Sequence, residues 1–397
     1  MLRLDEFILR REGKVLIRVP NPRFYLRRDG IYEPAWAPIF YNPVMTINRD
    51  FSVLTLYTFT RKYGYTDLRV VDALAGVGVR GIRYCMEVEG VSECIVNDVD
   101  SRAKEVINEN VRINNLSSKV RVFTEDANAL LYRLKRSGIK LDYIDVDPFG
   151  SPAPFVRSSL WSVRRGGLVA FTATDTGPLT GSRWWAGARR YDVKLARTSI
   201  GHEVGLRVLL GYIARRAAEM DRYIIPLAQY MGNYYYRVSA TVMKGSKKAD
   251  EMLDKALGYI HYCSNCEYIY VSNQIDFLKC PKCDSELHLI GPVWITDVSS
   301  SDFISSMRKY LIEKYSYFDS FKDLEKLIDR LAQECGLNKI YNITYLSKAL
   351  KVDIPRLDKV IECLHEKGLR ASRTHYGGTY LRTDAEYEDI VECVKLR

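Results

Sequence analysis

Between residues 68 and 171 the chain alternates short runs of β-branched and aromatic residues with longer amphipathic stretches, and few folds accommodate that rhythm. It predicts strands over 68–72, 93–98, 119–123, 141–146 and 167–172, with helices over 79–88 and 101–113. Ser101 is the expected N-cap of the second helix, with Glu105 near the capping-box position, and Asp126 can cap the helix after the third strand. Strands separated by helices of this length imply right-handed βαβ crossovers and therefore a parallel sheet. The rhythm then changes. A long helix over 200–220 leads into two strands, 223–230 and 234–242, around a Met231-Gly232-Asn233 turn.

A doubly wound parallel sheet that closes with an antiparallel hairpin is the α/β architecture of class I, Rossmann-like methyltransferases. At 397 residues there is room for two or three domains. The Lys-rich stretch GSKKADEMLDK reads as a bridge, so the sequence suggests a first domain over 1–245 and a second over 246–397. The second is expected to be α+β, with a cysteine ribbon over 259–292 and a winged-helix-like segment over 340–385, where two short helices precede strands around Gly377-Gly378. Fifty-nine Lys and Arg against 49 Asp and Glu give a net charge of +10, which suits a polyanionic partner without requiring one. The early charges of MLRLDEFILRREGK do not fit a secretory signal, and no apolar run is long enough to span a membrane, so the cytoplasm is the expected location.

The candidate chemistry gathers at one sheet edge. Asp72 to Gly78, DALAGVG, follows the first strand of the alternation, and Gly76 and Gly78 let the backbone turn tightly and leave room for a ligand. Asp98 ends the next strand, where nucleotide-binding sheets place an acid for ribose hydroxyls. Asp126 follows the third strand, where such folds contact adenine. Three loops at the carboxyl ends of parallel strands point to an adenosine-type cofactor, and the missing Walker lysine argues against a nucleoside triphosphate.

DVDPFG, residues 145–150, follows the fourth strand at the same edge. Asp145 reads as a residue that caps or pairs locally. Asp147 suits a harder task. An exocyclic base amine shares its lone pair with the ring and is a poor nucleophile. Accepting its N–H groups with the Asp147 carboxylate and the Pro148 carbonyl would localise that lone pair and stabilise positive charge on nitrogen. Phe149 could stack on a base that has left its own stack.

Nine cysteines include a C-x2-C pair at Cys263 and Cys266 and, after thirteen residues, another at Cys280 and Cys283. That spacing predicts a tetrahedral, all-thiolate structural zinc site. Cys85, Cys94, Cys335, Cys363 and Cys393 read as ordinary thiols.

Asp147-Pro148-Phe149-Gly150 is similar to the acid-Pro-Pro-aromatic motif of amino-group methyltransferases, with Phe in the third place. Together with Phe40 to Met45, Asn48-Arg49-Asp50, DALAGVGVRGIR and His202-Glu203 leading into Gly205-Leu206-Arg207, it resembles the tRNA guanine-N2 dimethyltransferase family, which modifies guanosine 26. The resemblance runs from about residue 12 through the cysteine ribbon. It implies an enzyme that uses S-adenosyl-L-methionine to add one or two methyl groups to a tRNA guanine. It further implies that Arg49 and Arg80 meet the methionyl end of the cofactor, Asp98 the ribose, and Asp126 and Ala127 the adenine, with Asp147 as the catalytic acid residue. Otherwise Arg49 reads as a surface ion pair and Arg80 as a solvated charge.

Two regions are candidates for RNA contact. Residues 181–191 interleave arginines with Trp184, Trp185 and Tyr191, and otherwise read as a packed lid. The other is the expected wing, with Arg370, Arg373, His375 and Arg382. Two rival functions stay open at this point. One is a DNA amino-methyltransferase; the other is a DNA-binding regulator whose sheet senses a metabolite.

Overall fold

The computed structural model describes residues 6–396 and opens with a hairpin, β1 (Phe7–Glu12) and β2 (Val15–Pro20). Val15, Ile17 and Val19 of β2 are buried. Asn side chains hold its backbone: Asn114 Oδ1 accepts the Leu16 N–H at 3.0 Å and Asn110 Oδ1 accepts the Arg18 N–H at 2.6 Å. Helix α1 (Thr46–Tyr63) follows, and Asn48, Arg49, Asp50, Ser52 and Thr58 are buried along it beside Phe51 and Leu54. Those buried polar groups blur the apolar stripe by which a surface helix is recognised, so periodicity does not predict α1.

The expected alternation comes next: β3 (Leu68–Asp72), α2 (Val79–Glu87), β4 (Val91–Asn97), α3 (Ser101–Ile113), β5 (Val120–Phe123), α4 (Ala127–Arg136), β6 (Leu141–Val146), α5 (Ala153–Ser162) and β7 (Val163–Ala173). Strand β3 lies between β4 and β6, both parallel to it, with Val71 opposite Ile95 on one side and Ile144 on the other. All three side chains are fully buried, as expected where a parallel sheet is covered on both faces. After α6 (Thr176–Thr180), α7 (Trp184–Tyr191) and α8 (Gly201–Ala218), strands β8 (Arg222–Met231) and β9 (Tyr236–Lys244) form the antiparallel hairpin. The seven strands run in the order β5-β4-β3-β6-β7-β9-β8, a mixed sheet. Strand order reverses between β3 and β6, the kind of switch point beside which open α/β sheets bind ligands.

Two expectations need correction here. Asp100, not Ser101, caps α3: its backbone is extended and its Oδ1 accepts the Arg102 N–H at 2.8 Å, which leaves Ser101 as the first helical residue. Strand β7 also begins at Val163, before the predicted start.

The chain gathers into two compact units, one of residues 1–148, 155–171 and 306–326, the other of 149–154, 172–305 and 327–397. In the first, Arg83 is fully buried and meets three carboxylates, Glu12 at 3.1 Å, Asp50 at 2.7 Å and Glu87 at 2.7 Å. Residues of the 306–326 segment join the same cluster, with the Tyr315 hydroxyl donating to the Glu87 carbonyl at 3.0 Å and the Ser320 N–H to Asp50 at 3.1 Å.

The second unit continues with α9 (Ser246–Ala256), then β10 (Leu257–Tyr262), β11 (Ile269–Ser272) and β12 (His288–Trp294) in a sheet of order β11-β10-β12. Helices α10 (Ser301–Lys314) and α11 (Phe321–Glu334) each span a unit boundary. The C-terminal part comprises β13 (Lys339–Asn342), α12 (Ile343–Leu350), α13 (Leu357–Glu366), β14 (Ala371–Arg373), β15 (Tyr380–Thr383) and α14 (Tyr387–Lys395), with sheet order β13-β15-β14. Leu346, Val360, Leu364, Leu381 and Ile390 close a core of their own there.

Cys363 and Cys393, read as ordinary thiols, form a disulfide between α13 and α14 across a sequence separation of 30. Packing of the two helices brings them together, and spacing alone gives no sign of it. The wing cations are also not free. Arg382 is buried against Glu203 and Glu334, and the His375 side chain packs on Glu334 at 2.9 Å. Arg370 pairs with Asp384 at 2.9 Å and Arg373 with Asp358 at 2.8 Å. The Arg382 and His375 side chains are thus covered, whereas Arg370 and Arg373 stay exposed within surface ion pairs.

Candidate active site and cysteine cluster

The loop after β3 is shaped from inside. Asp72 is buried, and its Oδ2 accepts the Gly81 N–H of α2 at 2.9 Å, tying the end of the strand to the start of the helix. Burial, together with the neighbouring Asp145, pushes its carboxyl up to about 7. Gly76 and Gly78 adopt φ of +55° and +80°, and a Cβ at Gly76 would stand 2.6 Å from the Phe40 carbonyl oxygen. A Gly76→Ala variant is therefore expected to lose about 1–3 kcal/mol of stability and at least tenfold in cofactor affinity, measured by calorimetry. Unchanged binding would remove this loop from the site.

Asp98 follows β4 and is half-buried. Its two oxygens accept the Gly76 N–H at 2.8 Å and the Asp100 N–H at 3.0 Å. Burial raises its pKa, and these backbone hydrogen bonds oppose the rise. Asp126 is exposed and caps α4 as expected, accepting the Ala129 N–H at 3.0 Å, while Ala127 behind it is buried. One residue that links these loops belongs to no recognisable motif. Buried Asn97 donates to the carbonyls of Ala73 and Glu125, both at 3.0 Å, and accepts the Glu125 N–H at 3.1 Å. It thereby holds the loops after β3, β4 and β5 in register. The only sign in the sequence is an amide at the end of an apolar strand, next to Asp98.

Across the switch point, Asp72 and Asp145 are register partners on β3 and β6. Asp145 pairs locally with Tyr143, whose hydroxyl it accepts at 2.7 Å, but also accepts the hydroxyl of Tyr84 on α2 and lies 3.8 Å from Arg80. Asp147, two residues on, differs. Its Oδ2 accepts from the Arg80 guanidinium, its other oxygen has no hydrogen-bond partner among the described residues, and its side chain is 23% exposed. Pro148 is buried and Phe149 is 69% exposed.

Arg80 is not solvated. It is buried and donates to Ser52 Oγ at 2.7 Å and to Asn48 Oδ1 at 2.8 Å as well as to Asp147. Burial disfavours its charge, but Asp145 and Asp147 more than offset this and hold its pKa well above the usual arginine value. Arg49 is not a surface pair either. It is buried, grips Glu12 through two bonds of 2.6 Å, and donates to the Asn42 carbonyl at 3.1 Å. The NPVM–NRD residues thus form a scaffold of ion pairs beneath the site.

Elsewhere in the chain, Cys263 and Cys266 follow β10, and their Sγ atoms lie with those of Cys280 and Cys283 within 4.8 Å of one another. Both pairs are built alike. The residue after each second cysteine, Glu267 or Asp284, has positive φ and donates its N–H to the carbonyl of the first cysteine at 2.9 Å. In α7, Trp184 and Trp185 are stacked with centroids 4.0 Å apart and are 46% and 63% exposed, so they are not packed inside a lid. Among the described residues no helix is long and apolar enough to cross a membrane.

A parallel sheet with its acid-bearing loops at one edge, a switch-point carboxylate and a closing antiparallel hairpin define an α/β methyltransferase fold. Residues 13–395 match the family described as N2,N2-dimethylguanosine tRNA methyltransferase, and the chain belongs to that family. It is 40% identical over 386 residues to the tRNA (guanine(26)-N(2))-dimethyltransferase of Saccharolobus solfataricus, covering 97% of each chain. The protein of the same description from Sulfurisphaera tokodaii is 38% identical over 387 residues, covering 97% of this chain and 98% of that one. Among solved structures, Trm1 from Pyrococcus horikoshii, in complex with S-adenosyl-L-methionine, aligns with TM-score 0.85 and 31% identity over 98% of this chain and all of that one. Family membership disfavours both the DNA-methylating and the regulator readings.

Proposed function

We infer that this chain methylates the N2 amine of guanosine 26 in tRNA with S-adenosyl-L-methionine, up to the dimethylated base. The observation that carries the reading is Asp147, which sits beside the sheet's switch point with one oxygen held by Arg80 and the other without a hydrogen-bond partner among the described residues. When bound, the cofactor supplies an electrophilic methyl group on a sulfonium. The tight turn at Gly76 and Gly78, both with positive φ, and the half-buried Asp98 beside it fit an adenosine moiety. In this reading Asp98 accepts the ribose hydroxyls, Asp126 and Ala127 border the adenine, and Asp72 acts indirectly by fixing the loop. Arg49 and Arg80 contribute positive charge at the methionyl end, and Arg80 also orients Asp147.

The free oxygen of Asp147 and the Pro148 carbonyl accept the amine's two N–H groups, concentrating the lone pair on nitrogen, and Phe149 stacks on the base. Asp147 then takes the released proton, directly or through water. Residues 1–245 form the catalytic part in this scheme, and residues 246–397, with a ribbon and a winged helix, grasp the tRNA. Trp184 and Trp185 offer a stacking platform, with Arg183 and Arg189, which form no ion pair among the described residues, nearby in sequence for phosphates. Nucleoside mass spectrometry of an unmodified tRNA transcript, incubated with the protein and labelled S-adenosyl-L-methionine, is expected to show dimethylguanosine. The label should vanish when guanosine 26 is replaced by adenosine. Label on adenine or cytosine, or no label, would contradict the assignment.

The four cysteines fit zinc. Cys263 to Cys283 and Cys266 to Cys280 are each 3.5 Å apart between Sγ atoms, close to the roughly 3.8 Å edge of a tetrahedron with Zn–S of about 2.3 Å. Four thiolates leave no open position, so the ion would be structural. The purified protein is expected to carry stoichiometric zinc, and Cys266→Ser to lose it and melt roughly 5 °C or more lower. Metal-free wild type with the same melting temperature would exclude the site.

A further inference from the structure

We propose that residues 21–37, an arm that neither the sequence motifs nor the site includes, form a contact surface for tRNA close to the catalytic edge. The inference rests on the tRNA-methylating reading and extends it to a surface. The arm is ordered by its own backbone. The Glu33 N–H donates to the Tyr25 carbonyl at 2.8 Å, Leu26 bridges Tyr32, and the Arg27 N–H donates to the Ile31 carbonyl at 2.8 Å. This makes a narrow loop with Arg28 at its tip. The arm is also tied to the site, because the Tyr32 hydroxyl donates to the Tyr41 carbonyl at 3.1 Å, and the neighbouring Phe40 carbonyl lies against Gly76 of the cofactor loop.

The exposed side chains of this arm are unusual for a solvated loop. Phe24 and Trp36 are 56% and 60% exposed. Arg23 and Arg28 are exposed and form no ion pair among the described residues, whereas Arg27 is neutralised by Asp29 at 2.8 Å. Arg10 and Arg11 on β1 are likewise exposed and form no ion pair among the described residues, although the Arg10 guanidinium lies over the Tyr41 ring at 5.9 Å. Guanidiniums without counter-ions interleaved with exposed rings are the chemistry that takes up a phosphate backbone and an unstacked base together. The wing cations, by contrast, are already paired or buried. A purely apolar protein partner would gain nothing from the unpaired arginines, which would each be desolvated without a counter-ion.

The test measures binding of an unmodified tRNA transcript as a function of salt for wild type, Arg23→Ala/Arg28→Ala and Phe24→Ala/Trp36→Ala. The arginine pair is expected to weaken tRNA binding about tenfold and to flatten the slope of log affinity against log salt by about one to two. The aromatic pair should weaken binding about tenfold with the slope retained. Affinity for S-adenosyl-L-methionine, measured separately, should not change in either. Hydrogen exchange of the wild type provides an independent readout, with residues 21–37 expected to be protected when tRNA is added. Wild-type affinity and slope in both variants, with no protection of the arm, would overturn the proposal while leaving tRNA methylation standing. So would a concentration-dependent dimer that the variants abolish, since the arm would then be a self-association surface. If the wild type binds no tRNA at all, the arm and the functional reading fall together.

Discussion

Exchanging Asp147 for asparagine is expected to lower the rate of methyl transfer to tRNA by about 10²–10³-fold while leaving cofactor affinity within about threefold. Asparagine keeps an oxygen for the Arg80 guanidinium, so the side chain should stay in place. It loses the negative charge that stabilises a developing ammonium and the capacity to take a proton from it. Alanine is the blunter change, because it also leaves buried Arg80 without its closest counter-ion, although Asp145 remains at 3.8 Å. Single-turnover rates with labelled cofactor, beside calorimetric titration of the same preparations, separate chemistry from binding. A variant that turns over at the wild-type rate would remove Asp147 from its role.

The second large effect is expected far from any reacting atom. Arg83→Met should destabilise the protein by about 3–5 kcal/mol, because it removes the cation among three buried carboxylates, Glu12, Asp50 and Glu87. A methionine fills much of the space but answers none of the charge. Equilibrium urea unfolding checks this, and a loss below about 1 kcal/mol would show that the cluster is better solvated than its burial indicates. The cluster also sets a direction with pH. Burial pushes the Glu12 carboxyl up, but the charge and hydrogen bonds of Arg49, with Arg83, more than offset it and hold it at about 2. Its stabilising contribution is therefore complete above the ordinary value of 4.5 and is lost as pH falls from there through about 2.

What could be read from the letters follows from how local each signal is. The alternation over 68–171 sets strand positions because each buried strand must be apolar on both faces, and β3 and β6 fall where that pattern puts them. The glycine turn, Asp98 and Asp126 are legible because their position at strand ends is enough to single them out. Helix α1 is not, since Asn48, Arg49, Asp50, Ser52 and Thr58 are buried along it among apolar residues, and Arg49, Asp50 and Ser52 meet partners distant in sequence. The motifs mark Arg49 and Arg80 but not their surroundings: a surface pair and a solvated charge are what isolated arginines usually are, and only the fold closes Glu12 and Asp147 around them. The same holds for Arg382 and for the Cys363–Cys393 bond, whose partners are brought together by tertiary packing. Asn97 went unread because one buried amide resembles any other until its three backbone bonds are seen.

The central claim is that the carboxylate of Asp147 and the cofactor's methyl group share one opening at the end of β6. A crystal structure of this protein with S-adenosyl-L-methionine tests it most directly, through the distance from the free oxygen of Asp147 to the methyl carbon. The account predicts roughly 6 Å, one N–H···O hydrogen bond plus one attack distance, with nothing between them but space for an amine. A methyl group pointing to the opposite side of the sheet edge, or a side chain of this protein wedged between the two, would contradict it.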